Sequence, residues 1–314
     1  MAQFTWTFDA PSGSYKNHAI SSRLYESALE ESIFMDFVRP VEGFGRKMGE
    51  TVTLMRVAEL TEPASAVLTE GIRIPEDEMA MSQTSITVQE LGRALPYTNL
   101  AEELGKFDVE SPVQKRLKNQ LRNVMDTIAA AAFKLAKVKY IPTGLASSTI
   151  DTNGTPSAQA TQPMNVFHLE EIRDYMYDTL RCPAYQGDDF IGAFRTKSIR
   201  GVKRDPAWEE WHKYTDPQSK FNSEVGRIEQ IRLIETNHAN ALANKGAGSV
   251  LGEGVVFGDD AVAMAETMTP ELRAAIPGDF GRSKAVAWYG ILATGIIFDT
   301  ANAGEARIIH VTST

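Results

Sequence analysis

One cysteine, Cys182, in 314 residues leaves no partner for an intrachain disulfide, as expected of a chain folded in reducing cytoplasm. The five histidines, His18, His168, His212, His238 and His310, are scattered without HExxH or HxH spacing, so no zinc site is expected. A GxSxG elbow is missing, as is any GKS or GKT triplet, and Cys182 stands beside Pro183 with no motif histidine near it. The glycine-rich run GAGSVLGEGVVF, with Gly246, Gly248, Gly252 and Gly254, precedes a strand where a dinucleotide loop would follow one, and it reads as a loop. Asp151, Asn153 and Gly154 begin a calcium-loop pattern that lacks its third acid and its closing glutamate. Asp188 with Asp189, and Asp259 with Asp260, are adjacent, so as strand neighbours each pair points to opposite faces. No catalytic, cofactor-binding or metal-binding residue is expected, and no cofactor; the chain does not read as an enzyme.

Long apolar runs are also lacking. The longest uncharged apolar stretch, residues 285–298, falls short of the roughly 18 residues a membrane span needs and is broken by Gly290 and Gly295, so paired core strands are expected there and no membrane contact. The start, MAQFTWTFDAPSG, has neither a basic segment nor an apolar one, and no secretory signal is expected. Bases are outnumbered, 32 Lys and Arg against 41 Asp and Glu for a net charge of −9, which excludes gripping nucleic acid as the main task but leaves room for local basic strips. What remains, 43% hydrophobic and 23% charged residues, is an ordinary globular composition, long enough for one large domain or two.

Residues 1–50 hold one helical stretch, residues 21–38, with Leu24, Ala28, Leu29, Ile33 and Met35 on a loose apolar face; it is too small for a core of its own and reads as an arm. Alternation predicts strands at residues 51–54 and 85–89. Between them, residues 59–81 carry six acids, among them Glu70, Glu76, Asp77 and Glu78, against one base, Arg73. They form either a solvated loop or an acidic hairpin lying on another subunit. Ser111 and Pro112 then open a long helix, with Val113, Leu117, Leu121, Val124, Ile128, Ala132, Leu135 and Val138 at three- and four-residue steps. Its other faces carry Lys115, Arg116, Lys118, Arg122, Lys134, Lys137 and Lys139 against Asp126; a solvated face, a phosphate contact and an acidic neighbour all remain open. Residues 140–165, rich in Gly, Pro, Ser and Thr, read as a linker. Beyond it come a helix capped by Asn165, a strand at residues 190–194, and a short helix after Asp205 with Trp208 and Trp211 on one side, for core or subunit contact. The run GRIEQIRLIETNH is strand-like, VVFGDDAVAMAE passes from strand to helix with Asp259 as cap, and the last thirty residues give two strands joined by a turn at Asn302, Ala303 and Gly304.

In this order, the segments LGRALPYTNLAEEL, QLRNVMDTIAAAAF, GRIEQIRLIETNHAN and VVFGDDAVAMAE leading to GEARIIHVTS resemble the major capsid (coat) proteins of tailed bacteriophages, the Hong Kong 97-type fold, over most of residues 20–314. The resemblance implies an α+β fold with an N-terminal arm (1–50), an extended β-hairpin loop (51–94), a peripheral domain (95–165 and 281–314) containing a spine helix (112–139), and an axial domain (166–280). It implies self-assembly into hexamers and pentamers of an icosahedral shell around double-stranded DNA, built in the host bacterial cytoplasm and ending as the virion capsid. A separate scaffolding protein, a portal and a decoration protein are the implied partners, with the packaged DNA in weak non-specific contact. Glu70, Glu76, Asp77, Glu78, Trp208 and Trp211 become candidates for subunit contact, and Lys115, Arg116, Lys118 and Arg122 for the DNA-facing lumen. Some members join a loop lysine covalently to a neighbour's asparagine; no lysine occurs here between Lys47 and Lys106, so no such crosslink is expected. Some carry a scaffolding domain ahead of the arm, for which residues 1–50 leave no room. An encapsulin-like nanocompartment shell protein and a cytosolic oligomeric α/β enzyme are the alternative readings.

Overall fold

The computed structural model of the chain describes residues 30, 32–60, 62–63, 65–104, 110–206, 208, 224–243, 252–277 and 279–313. The described part of the expected helix 21–38 is a single 3-10 turn, Phe34–Phe37, leading into strand β1 (Arg39–Pro40); residues 21–29 lie outside the described residues. This strap is held by side chains instead of helical hydrogen bonds: Phe34 is fully buried against Phe133, with ring centroids 5.7 Å apart. Strands β2 (Thr51–Val57) and β3 (Met81–Thr87) pair antiparallel from Thr51 with Thr87 to Val57 with Met81. Alternation locates the first, whereas the second, expected at residues 85–89, begins earlier, ends at Thr87, and leaves Gln89 to the next strand. Strand β4 (Gln89–Thr98) follows and leads into helix α1 (Asn99–Leu104).

Helix α2 (Glu110–Lys134) has 25 residues and is roughly 37 Å long. It already includes Ser111, so that hydroxyl is not the cap, and it stops short of residue 139 because Val138 and Lys139 belong to strand β5 (Val138–Gly144). The buried stripe also changes face along the helix. Val113 and Leu117 are buried near its start, whereas Asp126, Ala129, Ala130 and Phe133 are buried further on and Leu135 is exposed. Residues 140–165 are no linker: β5 turns back into β6 (Ser147–Asp151), and Tyr140 and Ile141 are fully buried. Composition misleads here, since the tertiary environment pairs a stretch whose Ser, Thr and Pro content suggests a loop.

Helix α3 (Val166–Asp174) starts where expected, with the Asn165 side chain accepting from the His168 N–H at 3.1 Å, and runs on through a π turn, Tyr175–Thr179. Strand β7 (Phe190–Arg195), helix α4 (Thr196–Lys203), the hairpin β8 (Glu224–Ile228) and β9 (Ile231–Thr236), and strand β10 (Glu253–Phe257) come next. The helix expected after Asp259 is instead the 13-residue strand β11 (Val262–Ala274), drawn into a sheet by antiparallel pairing with β12 (Ser283–Ile296) despite its Ala, Met and Glu content. Strand β13 (Ile308–Thr312) closes the chain. The turn at residues 302–304 exists, but β12 and β13 do not pair, since they enter different sheets.

A four-stranded sheet runs β1-β11-β12-β4 and a seven-stranded sheet β6-β5-β13-β10-β7-β9-β8, beside the two-stranded β2-β3 hairpin. Sheet membership divides the chain differently from the boundaries expected at residues 94, 165 and 280. Gln89–Thr98 pairs with β12 outside the hairpin, β11 pairs across residue 280, and β13 sits between β5 and β10. Alternation gives the seven-stranded sheet two apolar faces. Phe190, Phe194, Val256, Ile309 and Val311 pack with α3, α4 and Trp208; Ile191, Ala193, Val255, Phe257 and Ile308 pack with the second half of α2 and Phe34.

Candidate functional site

The β2-β3 hairpin is anchored at its base and exposed beyond it. Ile86, 4% exposed, packs on Ala263, Ala265 and Ala293 of the four-stranded sheet. The approach is close because position 295 is glycine, where a Cβ would meet Ile86 Cγ1 at 2.7 Å. Past the Ala58 N–H bond to the Ala80 carbonyl every described residue is exposed. Glu70, Glu76, Asp77 and Glu78 lie there; Arg73 pairs with Glu76, while Glu70, Asp77 and Glu78 form no ion pair among the described residues. Val67, Leu68, Ile72 and Ile74, each more than half exposed, lie between the acids. An apolar and acidic arm of this length buries almost nothing against its own subunit, which is the physical signature of a segment that packs on something else.

The seven bases read on and after α2 divide into two groups. Lys115, Arg116, Lys118 and Arg122 lie exposed along the first half of the helix, with Arg122 donating to the Ser32 carbonyl at 3.4 Å. The other three are engaged near its end: Lys134 with Glu253 at 3.7 Å, Lys137 with Asp299 at 3.4 Å, and Lys139 buried. Asp126, the acid expected among these bases, is fully buried. Trp208 is 7% exposed and lies in the subunit's own core, its ring filling the space a Cβ at Gly226 would take, so it is withdrawn from subunit contact. Trp211, His18, His212, Gly246 and Gly248 lie outside the described residues.

Three buried polar clusters went unread in the sequence. In the first, Asp126 Oδ1 accepts from the Phe34 N–H at 2.7 Å, and its second oxygen lies 3.8 Å from His238 Nδ1. His238 Nδ1 accepts from the Ala241 N–H, and its Nε2 faces Glu30 at 3.3 Å. Burial holds the Asp126 carboxyl above its ordinary range, opposed by the Phe34 N–H and His238. In the second, beneath the end of α2, Lys139 Nζ donates to the Lys134 carbonyl at 2.7 Å and lies 3.3 Å from His310 Nδ1, while His310 Nε2 is 2.7 Å from Glu253. Burial lowers the Lys139 ammonium to about 8. In the third, the Tyr140 hydroxyl donates to Glu171 at 2.5 Å, and Ser148 donates to the same carboxylate. One signal was available for the first cluster: a lone acid at position i of the small-residue stripe Asp126, Ala129, Ala130, Phe133.

These clusters clamp elements of the fold together. Among the described residues no three His, Cys, Asp or Glu side chains converge as a metal site, and no helix is long and apolar enough to cross a membrane. Burial pushes the Cys182 thiol up to about 12, far from a reactive thiolate. Asp189 is buried between Arg227 and Arg232, whereas Asp259 and Asp260 both reach Arg39, at 2.7 and 2.5 Å. The latter pair does not point to opposite faces, because Asp260 adopts a left-handed backbone (φ 51°) in a turn before β11. Asp259 and Asp260 thus tie down the strap through Arg39.

No protein-family model matches the sequence, and no curated protein does. Solved structures match along the whole chain. The head structure of Helicobacter pylori bacteriophage KHP40 has a TM-score of 0.75 at 11% identity, covering 100% of this chain and 99% of that one. The acid-stable capsid of Helicobacter pylori bacteriophage KHP30 gives 0.72 at 12% identity, with 100% and 99% covered. The capsid of cyanophage Pam1 gives 0.68 at 14%, again with 100% and 99% covered. The chain therefore has the α+β fold of these phage capsid subunits, which the resemblance in sequence implied.

Proposed function

From that fold we propose that the chain is the major capsid protein of a tailed bacteriophage, assembling into hexamers and pentamers of an icosahedral shell around double-stranded DNA, and that its work is structural and not catalytic. One observation carries the reading: the fold agrees end to end with capsid subunits, while a long acidic arm with exposed Val67, Ile72 and Ile74 finds no cover among the described residues. Contacts between copies do here what a cleft does in an enzyme. In this reading the β2-β3 hairpin is the extended loop, Glu70, Glu76, Asp77 and Glu78 meet a neighbouring subunit, α2 is the spine, and the four-stranded and seven-stranded sheets belong to the peripheral and axial domains. Lys115, Arg116, Lys118 and Arg122 face the lumen and the packaged DNA. A separate scaffold, a portal and a decoration protein complete the particle, which is assembled in the host cytoplasm.

Electron microscopy of the expressed protein tests this. Closed shells or polyheads of uniform wall thickness are expected, and a small discrete oligomer as the end state refutes the reading. A stoichiometric enzyme co-purifying inside the shells would make the chain a nanocompartment protein instead.

A further inference from the structure

We infer that the groove beside α4 is the seat, on one subunit, of the acidic loop tip of a second copy of this chain; the inference rests on the shell-forming reading above. Ser198, Ile199 and Val202 of α4 are buried. The opposite stripe, Lys197, Arg200 and, one residue past the helix end, Arg204, is exposed at three- and four-residue spacing. Together with Asn165 and Asp205 these three cations line a cavity of about 550 Å³, whose apolar wall is Leu145, 70% exposed, Pro163 and Pro206. The groove is shaped by Gly201: a Cβ there would meet the Met164 carbonyl oxygen at 2.1 Å, so only glycine lets α4 press on the chain entering α3.

The local acids leave the three cations available. Glu235 pairs with Lys203 at 2.5 Å, with Arg200 as a secondary charge neighbour, and Asp205 turns its carboxylate to the Val166 N–H at 3.4 Å. The side chains of Lys197, Arg200 and Arg204 form no ion pair or hydrogen bond among the described residues. On the exposed face of α2, by contrast, Arg122 is bonded to Ser32, and Lys115 and Arg116 have partners already.

The loop offers the complementary pattern. Ile74 and Pro75 precede Glu76, Asp77 and Glu78, an apolar pair followed by three carboxylates, against Leu145 and Pro163 followed by three cations. Among the described residues no hairpin residue lines the groove in its own subunit and every described residue of the loop tip is exposed, so the occupant is sought in another copy. Each loop arm of about a dozen residues reaches up to roughly 40 Å when extended, enough to cross to a neighbour. Charge pairing of this kind sets register and encounter more than affinity.

The experiment is a crosslink in assembled shells. The sole native thiol, Cys182, is buried, so Asp77→Cys with Arg200→Cys places the only exposed pair. Mild oxidation should give an intersubunit ladder on denaturing gels that each single variant lacks and that reductant collapses. Wild-type shells with no ladder from the double variant refute the seat and leave the shell reading intact; failure of the wild type to form any shell refutes the shell reading itself. Charge exchange is the second arm. The set Glu76→Lys, Asp77→Lys and Glu78→Lys, or the set Lys197→Glu, Arg200→Glu and Arg204→Glu, should each cut shell yield about tenfold, and the combined variant should recover it. Variant subunits are first checked for wild-type circular dichroism. A groove variant that assembles at wild-type yield, or that changes only the binding of a DNA duplex, overturns the proposal.

Discussion

At the scale of single residues, a lysine buried inside a sheet carries a desolvation cost. Lys139 is 6% exposed, under the end of α2, where its ammonium donates to the Lys134 carbonyl and so meets the negative pole of the helix. Desolvation outweighs that gain and lowers its pKa from 10.5 to about 8. The unfolded chain holds the proton more tightly than the fold does, so between about pH 8 and 10.4 unfolded molecules bind more protons and this group's contribution to stability rises with pH. Below that window the charged form costs on the order of 3 kcal/mol, by the usual conversion of a pKa difference. Urea midpoints of wild type and Lys139→Met, compared from pH 7 to 10.5, should show the wild type gaining on the variant as pH rises. A constant gap would mean that Lys139 titrates normally. Comparison with the variant removes the opposite trend from Cys182, whose raised pKa makes stability fall over the same alkaline range.

At the scale of elements, the strap of residues 32–40 shows what sequence periodicity reveals and what it misses. It is held by one buried acceptor, Asp126, one ion triad, Arg39 with Asp259 and Asp260, and the packing of Phe34 and Phe37. Removing the acceptor orphans the buried Phe34 N–H, so Asp126→Ala should cost about 1–3 kcal/mol and speed hydrogen exchange at Phe34. Asp126→Asn keeps an acceptor oxygen and should stay near wild type. The pH effect has a definite sign. Because the carboxyl is held above its ordinary value, the fold keeps a proton that the unfolded chain releases, and stability falls as pH rises through that interval; the Asn variant should lose this slope. Equal exchange at Phe34 in the Ala variant would show that packing alone docks the strap. The strands β2 and β3, the Asn165 cap and most of α2 were legible because each rests on local alternation, capping or helical period. The strap was not, since its partners are 92 and 220 residues away in sequence. Strand β11 was hidden by helix-forming residues, and β5 and β6 by loop-like composition; in each, pairing across the sheet overrides local preference.

At the scale of the whole molecule, the seven-stranded sheet is a partition. Helices α3 and α4 with the basic groove pack on one face, and the second half of α2 with the strap packs on the other. If a neighbour's loop seats in the groove, the α4 face belongs to the contact side of the wall, and the exposed bases at the start of α2 are left for the lumen. In the proposed shell, a net charge of −9 per subunit would keep the wall from holding DNA tightly, so lumenal binding would come from a few bases and be weak and sensitive to salt. A short DNA duplex should therefore bind opened shells and leave intact ones alone. In opened shells, Lys118→Gln should lower the slope of log affinity against log salt by roughly 0.9 for the phosphate that is no longer neutralised, with shell yield unchanged. Arg122 is left in place because its bond to the Ser32 carbonyl supports the strap. Equal binding by intact and opened shells would put these bases on the outer surface. An unchanged salt slope would mean that Lys118 touches no phosphate.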